Sequence, residues 1–249
     1  MLSSKKKLLA WGLWFQFWLV VITLITGSTV IVVAPIDRDG KIIQRTTRWW
    51  GRTLLRLAHI PVEVQGWEHL TPGQAYVFAA NHRSNFDIFT LISILPGRIM
   101  FVAKKSLFQI PIFGQALLRM GSVPLDRSNI KQAIKSLDRA AARVQAGASM
   151  IIFPEGTRVL TPELIPFKKG VFIMASKAGQ PIVPVSLNGT RYIQPPGTVE
   201  LRPGPIKVVI SPPIHPRDYQ RKEDLMTAVF QAIAANYDPY YPYGPERQL

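Results

Sequence analysis

In YVFAANHRSNFDIF, residues 76–89, an apolar run breaks into a polar turn and then resumes. Tyr76–Ala80 has the length and composition of a buried strand. Ser84-Asn85-Phe86-Asp87 reads as a helix start, a hydroxyl cap with an acid three residues on. Asp87 follows His82 by five positions. On one continuous helix that interval sets the two side chains about 140° apart, too far round to touch. Across a strand-to-helix turn, the imidazole can instead fold back so that the carboxylate accepts its N–H. Asp87 would then fix the ring tautomer and stabilise the imidazolium formed once the ring takes a proton. A serine cap with an acid also stabilises any helix by about 1 kcal/mol, so spacing alone leaves catalysis and plain capping both open.

Outward from this turn, short apolar runs alternate with helical stretches. Ala75–Ala80, Ile99–Ala103, Ser122–Leu125, Met150–Phe153, Ile182–Leu187 and Ile206–Ser211 read as strands. Asn85–Leu95, Ile112–Met120, Ile130–Gln145, Val171–Ala178 and Lys222–Asn236 read as helices. Such alternation predicts a single three-layer α/β domain around a largely parallel mixed sheet, spanning residues 61–249. The ending YDPYYPYGPERQL suits either an interfacial flap or a disordered end.

Residues 1–60 differ. Leu8–Ile36 contains no charged residue, and Trp11, Trp14 and Trp18 cluster near its start. That run is longer than the roughly 7–15 apolar residues of a secretory signal, and cleavage after Ala34 would meet Pro35. Residues 40–59 follow as an amphipathic segment. Lys41, Arg45, Arg48, Arg52 and Arg56 fall within about 80° of arc, opposite Ile43, Trp50, Leu54 and Leu57. The expectation is an N-terminal membrane anchor: an interfacial basic helix after an apolar segment that bends near Gly27 and dips into one leaflet. Both ends would stay on the cytoplasmic face of the cell membrane.

The formal charge of +15 points to anionic partners, and the absence of cysteine excludes disulfides, thiolate metal sites and a cysteine nucleophile. No nucleic-acid module is recognisable, so nucleic acid is not an expected partner. His59, His69 and His215 are scattered, so no metal is expected. Three further stretches stand out: the first two bring polar groups to strand ends, where sites form in open α/β sheets, and the third begins a buried strand. These are GSVPLDR, residues 121–127; FPEGTR, residues 153–158; and IVPV, residues 182–185. Glu155 and Arg158 read as a possible ion pair.

NHRSNFD, GSVPLDR, FPEGTR and IVPV, in that order, resemble the four motif blocks of the glycerolipid acyltransferases, most closely the bacterial 1-acylglycerol-3-phosphate (lysophosphatidate) acyltransferases. The resemblance covers roughly residues 75–190 and includes Lys104-Lys105-Ser-Leu-Phe and Phe167-Lys-Lys-Gly. It implies acyl transfer from a thioester to the free 2-hydroxyl of lysophosphatidate, giving phosphatidate. His82 and Asp87 would be catalytic, with Arg127, Arg158, Lys104 and Lys105 on the acceptor's phosphate. Glu155 and Gly156 would also join acceptor binding. No cofactor is implied; acyl-CoA or acyl carrier protein would serve as co-substrate, and the lipid bilayer as partner. Other readings are a relative acting on glycerol 3-phosphate or another lysophospholipid, and a non-catalytic membrane adaptor.

Overall fold

The computed structural model describes residues 2–244. Seven strands form one sheet: β1 (Val62–Gln65), β2 (Val77–Ala80), β3 (Ile99–Lys104), β4 (Val123–Leu125), β5 (Ser149–Ile152), β6 (Ile182–Asn188) and β7 (Ile206–Ile210). Their order is β1-β7-β6-β2-β5-β3-β4, and β6–β7 is the antiparallel pair. The sheet is therefore largely parallel and mixed, as the alternation predicts. The edge strand β1 escapes the sequence reading because VEVQ is short and half polar, with every second residue exposed.

Helices cover both faces. They are α1 (Leu2–Val33), α2 (Lys41–Leu57), α3 (Phe86–Ile94), α4 (Phe113–Met120), α5 (Ile130–Gln145), α6 (Lys169–Ala178), α7 (Thr190–Ile193) and α8 (Lys222–Ala234). The pleat of β2 divides the core. Phe78 and Ala80 join Phe15, Leu54, Phe86, Leu91 and Leu117 on one face, while Val77 and Ala79 join Val144, Phe172 and Val229 on the other.

The N-terminal pair departs from expectation in two ways. First, α1 runs unbroken through Gly27. This glycine serves close approach rather than a bend: a Cβ there would lie 2.9 Å from Ile112 Cγ2. Second, the apolar face of α2 meets protein. Ile43, Leu54 and Leu55 are buried, and Trp50 packs edge-on against Phe89 at 5.1 Å. Trp50 Nε1–H also donates to Thr23 Oγ1 at 2.9 Å. The amphipathic pattern of α2 is that of a helix laid on a core, with Ile42 and Trp49 left exposed, and the more extensive uncovered apolar surface lies on α1. Leu13, Phe17, Val20, Ile25 and Val32 are exposed there. Phe15, Ile22 and Val30, on the opposite side of α1, are buried in the same cluster as α3 and the sheet.

Candidate active site

Strand β2 ends at Ala80 in the middle of the sheet, with β5 as its neighbour. Both strands run parallel, so the NHRSNFD turn and the FPEGTR loop leave side by side at their carboxyl ends. His82 and Asp87 meet as the spacing requires, with Nδ1 and Oδ2 2.7 Å apart. Asp87 Oδ2 also accepts the backbone N–H groups of Arg83, at 2.6 Å, and Ser84, at 2.8 Å. The bond to Ser84 is the backward half of a capping box, and Phe86 N–H donates to Ser84 Oγ at 3.3 Å to supply a forward contact. Capping and ring orientation thus share one carboxylate, so the two readings of the spacing are compatible.

With Nδ1–H given to a carboxylate, Nε2 is the acceptor nitrogen of the neutral ring. The imidazole stacks on Phe153, with centroids 3.9 Å apart and planes 13° apart. Its side chain keeps 13% of its exposure while Asp87 keeps none. The site therefore presents one ring nitrogen, held in plane by Phe153 and in tautomer by Asp87. Ser84 is fully buried and its hydroxyl donates to Gln194 O at 2.8 Å, which leaves it as a structural residue of the turn.

The basic residues gather on the same rim. Arg127, just beyond the edge strand β4, donates through Nη1 to the carbonyl of Gly156. Gly156 adopts φ +77°, a left-handed conformation that lets the loop turn here. Arg158 donates to Asn85 Oδ1 at 2.8 Å, which ties the FPEGTR loop to the start of α3. Both arginines are exposed, so their remaining N–H groups face solvent. Lys104 is exposed at the end of β3, and Lys105 pairs with Asp126 at 3.1 Å.

Glu155 lies elsewhere than an Arg158 pair would put it. It is fully buried, both oxygens bind Arg83 Nη1 at 2.8 Å, and Oε1 accepts the His82 N–H at 2.9 Å. A carboxylate so enclosed needs a buried cation, and Arg158 sits in solvent. Arg83 is the residue that sequence reasoning passed over. Its one signal was an arginine inside an otherwise short-side-chain turn, and only the juxtaposition of β2 and β5 reveals its partner.

Residues of α1, α2, α3, α4 and β3 line an apolar cavity of about 90 Å³. Gly27, Val30, Trp50, Ile88, Phe101 and Leu117 are among its lining residues. Of these, Ile88 is the residue after Asp87 in α3.

Comparison with known proteins agrees with this geometry. The acyltransferase family model matches residues 61–188. The chain is 41% identical over 166 residues to the 1-acyl-sn-glycerol-3-phosphate acyltransferase BAT2, chloroplastic, of Brassica napus, covering 66% of this chain and 47% of that protein. It thus spans about half the length of that relative. Identity to the 1-acyl-sn-glycerol-3-phosphate acyltransferase of Cocos nucifera is 32% over 229 residues, covering 90% of this chain and 72% of that protein. The crystal structure of the 1-acyl-sn-glycerophosphate (LPA) acyltransferase PlsC from Thermotoga maritima matches with a TM-score of 0.82 and 26% identity, covering 93% of this chain and 95% of that one. With its motif turn, its rim arginines and these alignments in agreement, the chain belongs to the acyltransferase family.

Proposed function

We propose that the protein transfers a fatty acyl group from an acyl thioester to the 2-hydroxyl of 1-acylglycerol 3-phosphate, forming phosphatidate. The observation that carries this reading is the 2.7 Å bond between His82 and Asp87, beside two exposed arginines on one rim. An alcohol is a weak nucleophile until a base takes its proton. His82 Nε2 fills that role, contributing about 10²–10⁴-fold. The alkoxide attacks the thioester carbonyl, and the tetrahedral intermediate collapses to the ester. The departing thiolate takes the proton back from the imidazolium, so the enzyme ends the cycle unchanged. Asp87 is held in place by two backbone N–H groups while it orients the ring.

Arg127 and Arg158 bind the acceptor's phosphate through their free N–H groups, with Lys104 and Lys105 adding charge nearby. Gly156 shapes that pocket, and Glu155 acts beneath it by holding the His82 peptide. The apolar cavity that Ile88 helps to line receives an acyl chain. The donor is carried on coenzyme A or acyl carrier protein, and no further cofactor enters the reaction.

The outer face of α1 lies in one leaflet of the membrane at its cytoplasmic face. This helix is long and apolar enough to cross a bilayer. Its inner face, however, is packed on the domain from Phe15 to Val30, which favours an in-plane position over a span. An acceptor's tail can then stay in lipid while its head enters the site, avoiding about 0.8 kcal/mol for each CH₂ withdrawn.

The test is purified protein given one acyl-CoA and, in parallel, lysophosphatidate, glycerol 3-phosphate and other lysophospholipids, scored by lipid product. Phosphatidate from lysophosphatidate is the expected result. Ester formed only on another acceptor would reassign the substrate, and no ester on any acceptor would defeat the reading. Repeating the assay with acyl carrier protein thioester separates the two donors.

A further inference from the structure

The end of the described chain reaches back to the catalytic turn. Asn188, at the end of β6, grips residues 236–238 from both sides. Its Oδ1 accepts the Asp238 N–H at 2.7 Å, and its Nδ2 donates to Asn236 O at 3.1 Å. Tyr237 lies between these anchors. Its hydroxyl accepts from Arg83 Nε at 2.9 Å, and its ring centroid lies 5.2 Å from the guanidinium carbon.

Arg83 is the largest fully buried side chain of the protein's described residues. Each nitrogen of a buried guanidinium needs an acceptor. Nη1 meets both oxygens of Glu155 and the His82 carbonyl, the latter at 3.0 Å; Nη2 donates to Glu163 O at 3.0 Å; Nε is left to Tyr237. Glu155 in turn accepts the His82 N–H. One ion pair therefore holds both the N–H and the C=O of His82, and the tyrosine hydroxyl completes it. Burial works against the charge of Arg83, yet the facing Tyr237 and Glu155 hold its pKa above the ordinary value. Burial likewise pushes the Tyr237 hydroxyl up, so it stays protonated and neutral beside the cation.

We propose that Tyr237 is a positioning residue for acyl transfer, holding Arg83 so that the Arg83–Glu155 pair fixes the His82 peptide and directs Nε2 at the acceptor hydroxyl. The inference rests on the reading of His82 as general base. Without the hydroxyl, Nε–H is left unpaired in a buried site, and the guanidinium must rotate to recover an acceptor. Rotation carries Glu155 and the His82 backbone with it. Catalytic geometry tolerates displacements of only about 0.5 Å, so a small tilt is costly in rate. The C-terminal segment thus belongs to the site, although its sequence carries none of the four motifs.

The experiment compares full-length wild type with Tyr237→Phe, which keeps the ring under Arg83, using acyl-CoA and lysophosphatidate in mixed vesicles. The expected result is a kcat about tenfold lower with both KM values within about twofold, at an unchanged melting temperature. A kcat equal to wild type would overturn the inference, as would a change confined to KM. Should Tyr237→Phe lower the folded fraction, Tyr237→His offers Nε a ring nitrogen and is compared with it per folded molecule. A higher kcat for the histidine variant supports positioning, whereas equal rates for the two overturn it. His82→Ala runs alongside. Its full turnover, or no ester from wild type, would remove both the site reading and this inference; an active wild type matched by Tyr237→Phe removes this inference alone.

Discussion

The His82–Asp87 turn and the outer face of α1 invert the ordinary distribution of side chains in opposite directions. Asn81, Arg83, Ser84 and Asp87 are polar and show no exposed surface. Leu13, Phe17, Val20, Ile25 and Val32 are apolar and exposed. Scattered exceptions to the apolar-inside pattern mean little, but concentrated ones mark function. In the turn, desolvated hydrogen bonds hold an imidazole still, because a buried polar group that loses its partner has no water to replace it. On α1, an apolar surface left uncovered among the described residues is suited to lipid. On the function proposed above, one region serves chemistry and the other location, so damage to each should be separable.

The sharpest separation is His82→Ala. Phosphatidate formation should fall by about 10²–10⁴-fold while co-sedimentation with vesicles is unchanged. Turnover near wild type would leave the turn without a catalytic role. The reverse variant, Phe17→Glu with Trp18→Glu, charges the outer face of α1, where both residues are exposed. Each such side chain contributes about 1.5–3 kcal/mol when buried in an apolar phase, so partitioning onto vesicles should fall roughly 100-fold or more. Its rate on a water-dispersed acceptor should stay close to wild type, and undiminished vesicle binding would place the membrane contact elsewhere. Deletion of residues 1–60 would not serve, since it also strips Phe15, Leu54 and Leu55 from the core.

Arg158→Ala is expected to raise the KM for lysophosphatidate by about tenfold with a smaller change in kcat, as befits a lost charge-assisted hydrogen bond. An unchanged KM in steady-state assays would move the phosphate away from this residue. The smallest effect belongs to Asp126, which is polar but not enclosed. The Ser128 hydroxyl foremost, then Lys105, hold its pKa at about 2 against an ordinary 3.8. A folded-state value below the unfolded one gives stability that is present above about pH 4 and lost as the pH falls through about 2. The gain is slight because solvent screens the contact. Carboxyl titration by NMR should find this low midpoint, and one near 3.8 would mean that the Asp126–Ser128 turn is open.

How much could be read beforehand varies along the chain. The helix Ile130–Gln145 was legible to the residue, because Asn129 caps it by accepting the Gln132 N–H and its apolar period is regular. The His82–Asp87 contact was legible because both partners lie within one local turn. The face that α2 buries was not. An amphipathic pattern states that one side is apolar, without stating whether protein or lipid covers it. The Arg83–Glu155 pair was equally hidden, since its members lie 72 residues apart and meet only because β5 inserts beside β2.

The sequence by itself determined the alternation of strands and helices, the motif turn with its acid and imidazole, and the excess of positive charge. These depend on neighbouring residues or on totals. Only the tertiary structure decided that Glu155 holds His82 rather than Arg158, that α2 turns its apolar side inward, and that Tyr237 reaches the His82–Asp87 turn. Parallel strands must be joined by crossovers, so neighbours at a sheet's carboxyl edge are distant in the chain, and no local pattern specifies which of them will meet.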